Sequence, residues 1–310
     1  MITPRWDVLG CGIVAVDDLL YVDQYPLADS KTPVLDIVRE GGGLTGTALV
    51  AAARFGTKAA YGGILGYDEL SNFTLEAFRR EGVDVSAVVR RAGASTYHSI
   101  IIIDQATKTR TIFYTAKGVV ARSPEEMSIE LIGNCRVLLV DMLGLDGTIR
   151  AVQIAHSLGI PVVADIESAD EPRSMELIEQ VDHLIIPRHL AAQLSGSDDP
   201  EYMVKWLAKT RRACTAVTCG DQGTWYTLAD GVVRHQPAFK IVPVDTNGCG
   251  DVFHGVYAAC LAQDNIPLEQ AILMVTAAAA IKATRPGGRS GIPDRRAVEQ
   301  FLKERHDNEL

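Results

Sequence analysis

Asp245-Thr246-Asn247-Gly248-Cys249-Gly250-Asp251 reads as a glycine turn that opens a helix and ends in a carboxylate. A strand-like run, Phe239-Lys240-Ile241-Val242-Pro243-Val244, leads in, and an apolar helical stretch over 252–261 leads out. The N–H groups around Gly248, Cys249 and Gly250 would point outward at a helix N-terminus, where the dipole also favours an anion. Glycine lets a phosphate approach the backbone without meeting a side chain. Asp251 then lies in the first turn, beside the anion. A carboxylate there is electrostatically costly unless it takes a proton from an attacking hydroxyl, so the combination points to phosphoryl transfer. An ordinary turn and N-cap uses the same residue types, and the rest of the chain has to decide between them.

Outward from that turn, short β-branched runs alternate with helical patterns. Strands are expected at 8–14, 58–63, 137–141, 161–165, 183–186 and 213–218. Helices are expected at 45–55, 71–81, 148–158 and 201–209, and after Gly250 and Pro267; Gly56, Gly82 and Gly159 end three of them. Such alternation implies one α/β domain over 1–310 with a mostly parallel sheet covered on both faces. Runs at 34–40, 96–104 and 110–114, the last two joined by a polar hairpin at 105–109, fall outside that rhythm. With 310 residues and 47% hydrophobic content the chain can bury a large core. The net charge of -9 argues against nucleic acid or an anionic membrane as partner. Six scattered cysteines, without metal spacing, suggest reduced, mostly buried thiols. No apolar run reaches 18 residues and no signal-peptide core precedes the first strand, so a cytoplasmic protein is expected.

The 245–251 run resembles the D-T-x-G-x-G-D signature of the ribokinase-like (PfkB) sugar kinases, with Cys249 where alanine is usual. The resemblance extends over nearly the whole chain. It implies a ribokinase-like, doubly wound, mostly parallel sheet flanked by helices, with a small β-sheet lid formed by insertions at about 16–40 and 94–116. It implies a sugar as substrate, ATP and Mg2+ as cofactors, Asp251 as general base, and the amides of Gly248, Cys249 and Gly250 as anion hole. A homodimer formed through the lid is a further implication.

Other segments carry the same resemblance. Asp17, at the end of the first strand in Gly12-Ile13-Val14-Ala15-Val16-Asp17-Asp18, would accept hydrogen bonds from two sugar hydroxyls, and Asp18 is the alternative ligand. Gly42 and Gly43 match a glycine pair at the sugar site. Leu44 and Thr47 stand where relatives carry asparagines, which implies an acceptor other than ribose or a common ketohexose. Arg110 aligns with a lid arginine of relatives such as ketohexokinase. Thr218, Gly220 and Gly223 match a T-x-G-x-x-G loop on the nucleotide side, which a plain hairpin turn would also explain. A monovalent cation, K+ by analogy, would sit near Asp245, Arg285 and Gly287. No carboxylate occupies Pro187-Arg188-His189-Leu190, where an N-x-x-E motif associated with magnesium is expected. Magnesium would then be held mainly by phosphates and water. Local wording at 233–240, 252–255 and 284–293 is similar to sulfofructose kinase, but Tyr114 and Leu143 replace polar residues suited to a sulfonate. A nucleoside kinase, a sugar-phosphate kinase and a non-catalytic sugar sensor are the other readings of this chain.

Overall fold

The computed structural model of the protein describes residues 4–107, 109–208, 212–263 and 266–308. The chain begins with β1 (Trp6–Cys11), β2 (Ala15–Val22), β3 (Asp36–Gly42) and α1 (Leu44–Arg54). β4 (Ala59–Tyr61), β5 (Ile64–Leu65), α2 (Glu69–Arg80), β6 (Val89–Arg90), β7 (Tyr97–Asp104) and β8 (Thr109–Thr115) follow. Strand and helix then alternate through α3 (Ile129–Ile132), β9 (Cys135–Val140), α4 (Leu145–Ser157), β10 (Val162–Asp165), α5 (Ser174–Gln180) and β11 (His183–Pro187). After α6 (Arg188–Ser195) and α7 (Pro200–Leu207) come β12 (Cys214–Thr218), β13 (Thr224–Leu228) and β14 (Val233–Gln236). The helices α8 (Cys249–Leu261), α9 (Leu268–Ala283) and α10 (Arg295–Asn308) complete the order.

The main sheet runs β14-β13-β12-β11-β10-β9-β1-β4. β4 through β12 are parallel in that order, and β13 and β14 return antiparallel at the edge. Its central strands are continuous apolar runs, with Val137, Leu138, Leu139 and Val140 and then Leu184, Ile185 and Ile186 fully buried, as a sheet covered on both faces requires. One apolar cluster joins the sheet to α1, α8 and α9; the other joins it to α4, α5, α6 and α7. α1 and α8 pack closely because position 255 is glycine: a Cβ there would overlap the Ala48 backbone. The second sheet, ordered β3-β2-β7-β8, gathers the strand-like runs that broke the rhythm.

Several expectations need correction. The 239–244 run joins no ladder, since Pro237 ends β14 and Pro243 has no N–H to give. The first strand stops at Cys11, and a separate strand, β2, starts at Ala15. The helix expected over 201–209 is α7, Pro200–Leu207, and Lys209 lies outside the described residues, as does Lys108 in the 105–109 hairpin. α3, α5, α6 and α10 had no counterpart in the sequence reading. The expected glycine stops hold: Gly56, Gly82 and Gly159 have φ of 91°, 76° and 69°. Among the described residues no helix is long and apolar enough to cross a membrane. All six cysteines are free, five buried and Cys249 partly exposed.

Candidate active site

The 245–251 loop is a wall between two cavities at the carboxyl ends of the parallel strands, the usual ligand position in such sheets. One cavity, of about 340 Å³, is lined by Asp17, Gly42, Gly43, Leu44 and Thr47, by Tyr97, Ser99, Ile112 and Tyr114 of the second sheet, and by Glu167, Gly248 and Asp251. The other, of about 610 Å³, is lined by Thr218, Gly220 and Gly223, by Ala238, Phe239, Lys240 and Ile241, by Cys249 and Gly250, and by Ala279, Ala280 and Ala283 of α9. The segment expected as a strand thus walls the second cavity, and the 218–223 segment is both a hairpin turn and a cavity lining.

Gly248 makes the partition by adopting φ 76°, a left-handed conformation that a side chain would strain. Its carbonyl accepts the first helical bond, from Val252 N–H at 2.9 Å, so Gly250 and Asp251 N–H precede the ladder. The Cys249 N–H differs from expectation: the tight turn directs it to the Thr246 carbonyl at 3.3 Å. Asp245 fastens the loop from behind. Its carboxylate accepts N–H bonds from Asn247 (2.9 Å) and Gly287 (3.1 Å), and its carbonyl accepts from Lys282 Nζ (2.9 Å).

Asp251 has surroundings unlike a surface acid. Burial pushes its carboxyl well above the usual range, the nearby carboxyls of Asp165, Glu167 and Asp141 push the same way, and Arg289 opposes them. One turn on, His254 is buried, and that burial pulls its imidazole below the usual range against its hydrogen bonds to the Ile185 and Gly250 carbonyls. The ring places Nε2 3.0 Å from the Ile185 carbonyl, which ties α8 to β11, and Nδ1 2.9 Å from the Gly250 carbonyl of its own helix, with Asp165 Oδ2 3.2 Å away. Asp141, fully buried, accepts from Ile13 N–H (2.6 Å) and Thr45 Oγ1 (2.7 Å), fixing the turn after β1 against α1.

Asp17 and Asp18 fall on opposite faces of β2, as strand alternation demands. Asp17 faces the smaller cavity, and burial raises its carboxyl while the Ser99 hydrogen bond and Arg289 oppose the shift. Asp18 is occupied elsewhere, by Arg39 at 2.6 Å and His98 at 2.8 Å, and the Arg39 bond is the main cause holding it below its usual range. Arg110 does not line the smaller cavity. It pairs with Ile103 in the β7–β8 ladder and is exposed, two residues beyond the cavity-lining Ile112. That is roughly 7 Å along a strand.

The sequence reading missed Arg289. The residue is 5% exposed, and its guanidinium donates from Nη2 to the Gly42 carbonyl at 2.7 Å and lies over Phe78 at 5.1 Å. Burial pulls it down to about 10 against the pull of Asp17, Glu81, Asp251 and Glu40. Asp141, Asp165 and Glu167 were also missed, because no motif marks them and they acquire meaning only where the ends of β9 and β10 converge. His189 lies on α6 with Nε2 3.0 Å from the Glu167 carbonyl. Leu143 lies beside Gly12 and Tyr61, away from the cavity that holds Tyr114.

Position 250 offers a direct test of the larger cavity. A Cβ added to Gly250 meets no protein atom within 4 Å, so a larger side chain there projects into open cavity and not into the core. Gly250→Val is expected to fold with near wild-type thermal stability yet to weaken nucleotide affinity and turnover together. Calorimetric titration with a non-hydrolysable ATP analogue checks this, and unchanged affinity would make the glycine run only a turn.

The pfkB family carbohydrate kinase model matches residues 11–295. A ribokinase from Schizosaccharomyces pombe is 29% identical to this chain, covering 81% of it and 83% of that protein. Fructokinase-1 from Oryza sativa subsp. japonica is 28% identical, covering 96% and 97%. A solved putative ribokinase from Agrobacterium tumefaciens superposes with a TM-score of 0.85 at 28% identity, over 97% of this chain and 99% of that one.

Proposed function

The chain belongs to the pfkB family of carbohydrate kinases, and from that we propose how its own residues transfer the γ-phosphoryl group of ATP to a hydroxyl of a sugar or sugar derivative. One observation carries the reading: a single helix N-terminus separates an acceptor-sized cavity from a nucleotide-sized one, and Asp251 faces the former. The acceptor lies between Asp17, Gly42-Gly43 and the small sheet, which acts as a lid. Asp251 accepts the hydroxyl proton as the oxygen attacks in line. Burial and the neighbouring carboxyls raise its proton affinity, which favours its taking the hydroxyl proton. The glycine-turn amides, with the dipole of α8, stabilise charge on the transferred group. Water is excluded where the lid covers the acceptor.

Magnesium fits this donor set only as a nucleotide-borne ion. Among the described residues no group of three metal-binding side chains converges, while Glu167 supplies a carboxylate in the acceptor cavity beside Asp251. Glu167, with phosphates and water, would hold the ion, which supplies charge neutralisation for the phosphates. A putative ribokinase II from Escherichia coli was solved on this fold with ATP and Mg2+. The outer face of the small sheet exposes Ile37 (64%), Ile100 (41%) and Phe113 (52%), which supports pairing with a second copy. Sedimentation analysis of Phe113→Glu tests that, and an unchanged oligomeric state would count against it.

A thermal-shift screen over sugars, sugar acids, sugar phosphates and nucleosides, each with an ATP analogue, tests the function, since a bound ligand raises apparent stability. No shift with any acceptor class would favour a different role. A nucleoside is the second reading, because the Tyr97 and Tyr114 rings, 6.5 Å apart, both line the acceptor cavity. Leu44 and Thr47 leave that wall without side-chain amides, so D-ribose and D-fructose are expected to be poor substrates. Sub-millimolar KM with efficient turnover of either, in a coupled kinase assay, would refute this.

A further inference from the structure

Lys282, in the last turn of α9, is 0% exposed, yet its Nζ donates to the Asp245 carbonyl at 2.9 Å. Lysine is almost never fully buried unless paired, and an ammonium removed from water needs strong compensation. The compensation lies in the loop. The neighbouring Ala283 carbonyl accepts N–H bonds from Val244 (2.7 Å) and Asp245 (3.1 Å), clamping the end of α9 to the start of the glycine run. The ammonium therefore sits behind the turn whose front faces the nucleotide cavity. Its field reaches the Cys249 thiol, which burial pushes up to about 11 and which Lys282 pulls back.

We propose that the Lys282 ammonium is a built-in monovalent cation, which holds the Asp245 carbonyl and lends its charge to the phosphate-facing turn so that nucleotide binding needs no potassium ion. Carbonyl oxygens are the ligands that a potassium ion takes. An ammonium carries the same charge at similar size and donates to the same kind of oxygen, here the Asp245 carbonyl. A potassium ion on the Asp245 carbonyl would face the ammonium at close range, and like charges do not share one site. The Asp245 carbonyl is therefore already taken and does not fit the bound cation that the resemblance implies there. This inference rests on reading the 245–251 loop as the phosphate site.

The test is calorimetric titration of the full chain with a Mg2+-loaded, non-hydrolysable ATP analogue in potassium chloride and in equimolar tetramethylammonium chloride. Wild type is expected to show equal affinity and equal Tm in the two salts. Lys282→Met keeps the side chain's length and apolar packing but not its charge. It is expected to bind about tenfold more weakly in tetramethylammonium, an ordinary coupling strength, and to recover in potassium. A potassium-specific gain by wild type overturns the inference, as does Lys282→Met binding like wild type in both salts. The wild-type comparison decides even if the variant does not fold. Absence of nucleotide binding by wild type in both salts would instead remove the phosphate reading beneath it.

Discussion

Asp251→Asn is expected to lower kcat by about 10²–10⁴, the usual cost of losing a general base, with nucleotide affinity and Tm nearly unchanged. Asparagine keeps the shape of the side chain, and the turn before it is set by Gly248 and Asp245. Steady-state kinetics and titration with an ATP analogue separate the two effects. A variant with near wild-type kcat would end the assignment of Asp251 as base. The pH profile gives an independent check. The carboxyl must be ionised to accept a proton, and burial beside Asp165 and Glu167 raises it well above its ordinary range. The rate should therefore fall with decreasing pH through a midpoint above the ordinary carboxylate value of about 4. An acid limb at that ordinary value would contradict the environment described.

Asp17→Ala is expected to raise the acceptor KM by roughly ten- to more than a hundredfold, the worth of a charged hydrogen bond of about 1.5–3 kcal/mol. Nucleotide affinity should be spared, because Asp17 lines only the acceptor cavity. Asp18→Ala is the paired control. It removes an ion pair with Arg39 on the opposite face of the strand, and exposed pairs of that kind contribute little. A larger acceptor defect in the Asp18 variant than in the Asp17 variant would reverse the choice between them.

The parallel strands β1, β4 and β9 to β12 were legible because buried parallel strands are written as uninterrupted apolar runs, and three of the helices between them because they end at glycines. β2 was not, since Asp17 and Asp18 interrupt its apolar pattern and the strand alternates only around them. The 239–244 run misled in the other direction: its residues favour a strand, but a strand also needs a free edge, and Pro243 cannot offer one. At the candidate site, a local motif was readable as a turn that opens a helix, with Gly248 at its start and Asp251 in its first turn. Arg289 and Glu40, separated by 249 residues, meet only in the fold.

The close seating of α8 on α1 at Gly255 and Ala48, with His254 held against β11, leaves Asp251, the proposed base, little room to adjust. Across the cavity, β8 is exposed along its whole length. One bank of the reaction is thus bedrock and the other is shoreline. An acceptor must present its reacting oxygen at one fixed point, while its far end meets a yielding margin. Such an enzyme would be strict about which hydroxyl it modifies and lenient about what the remainder of the molecule carries.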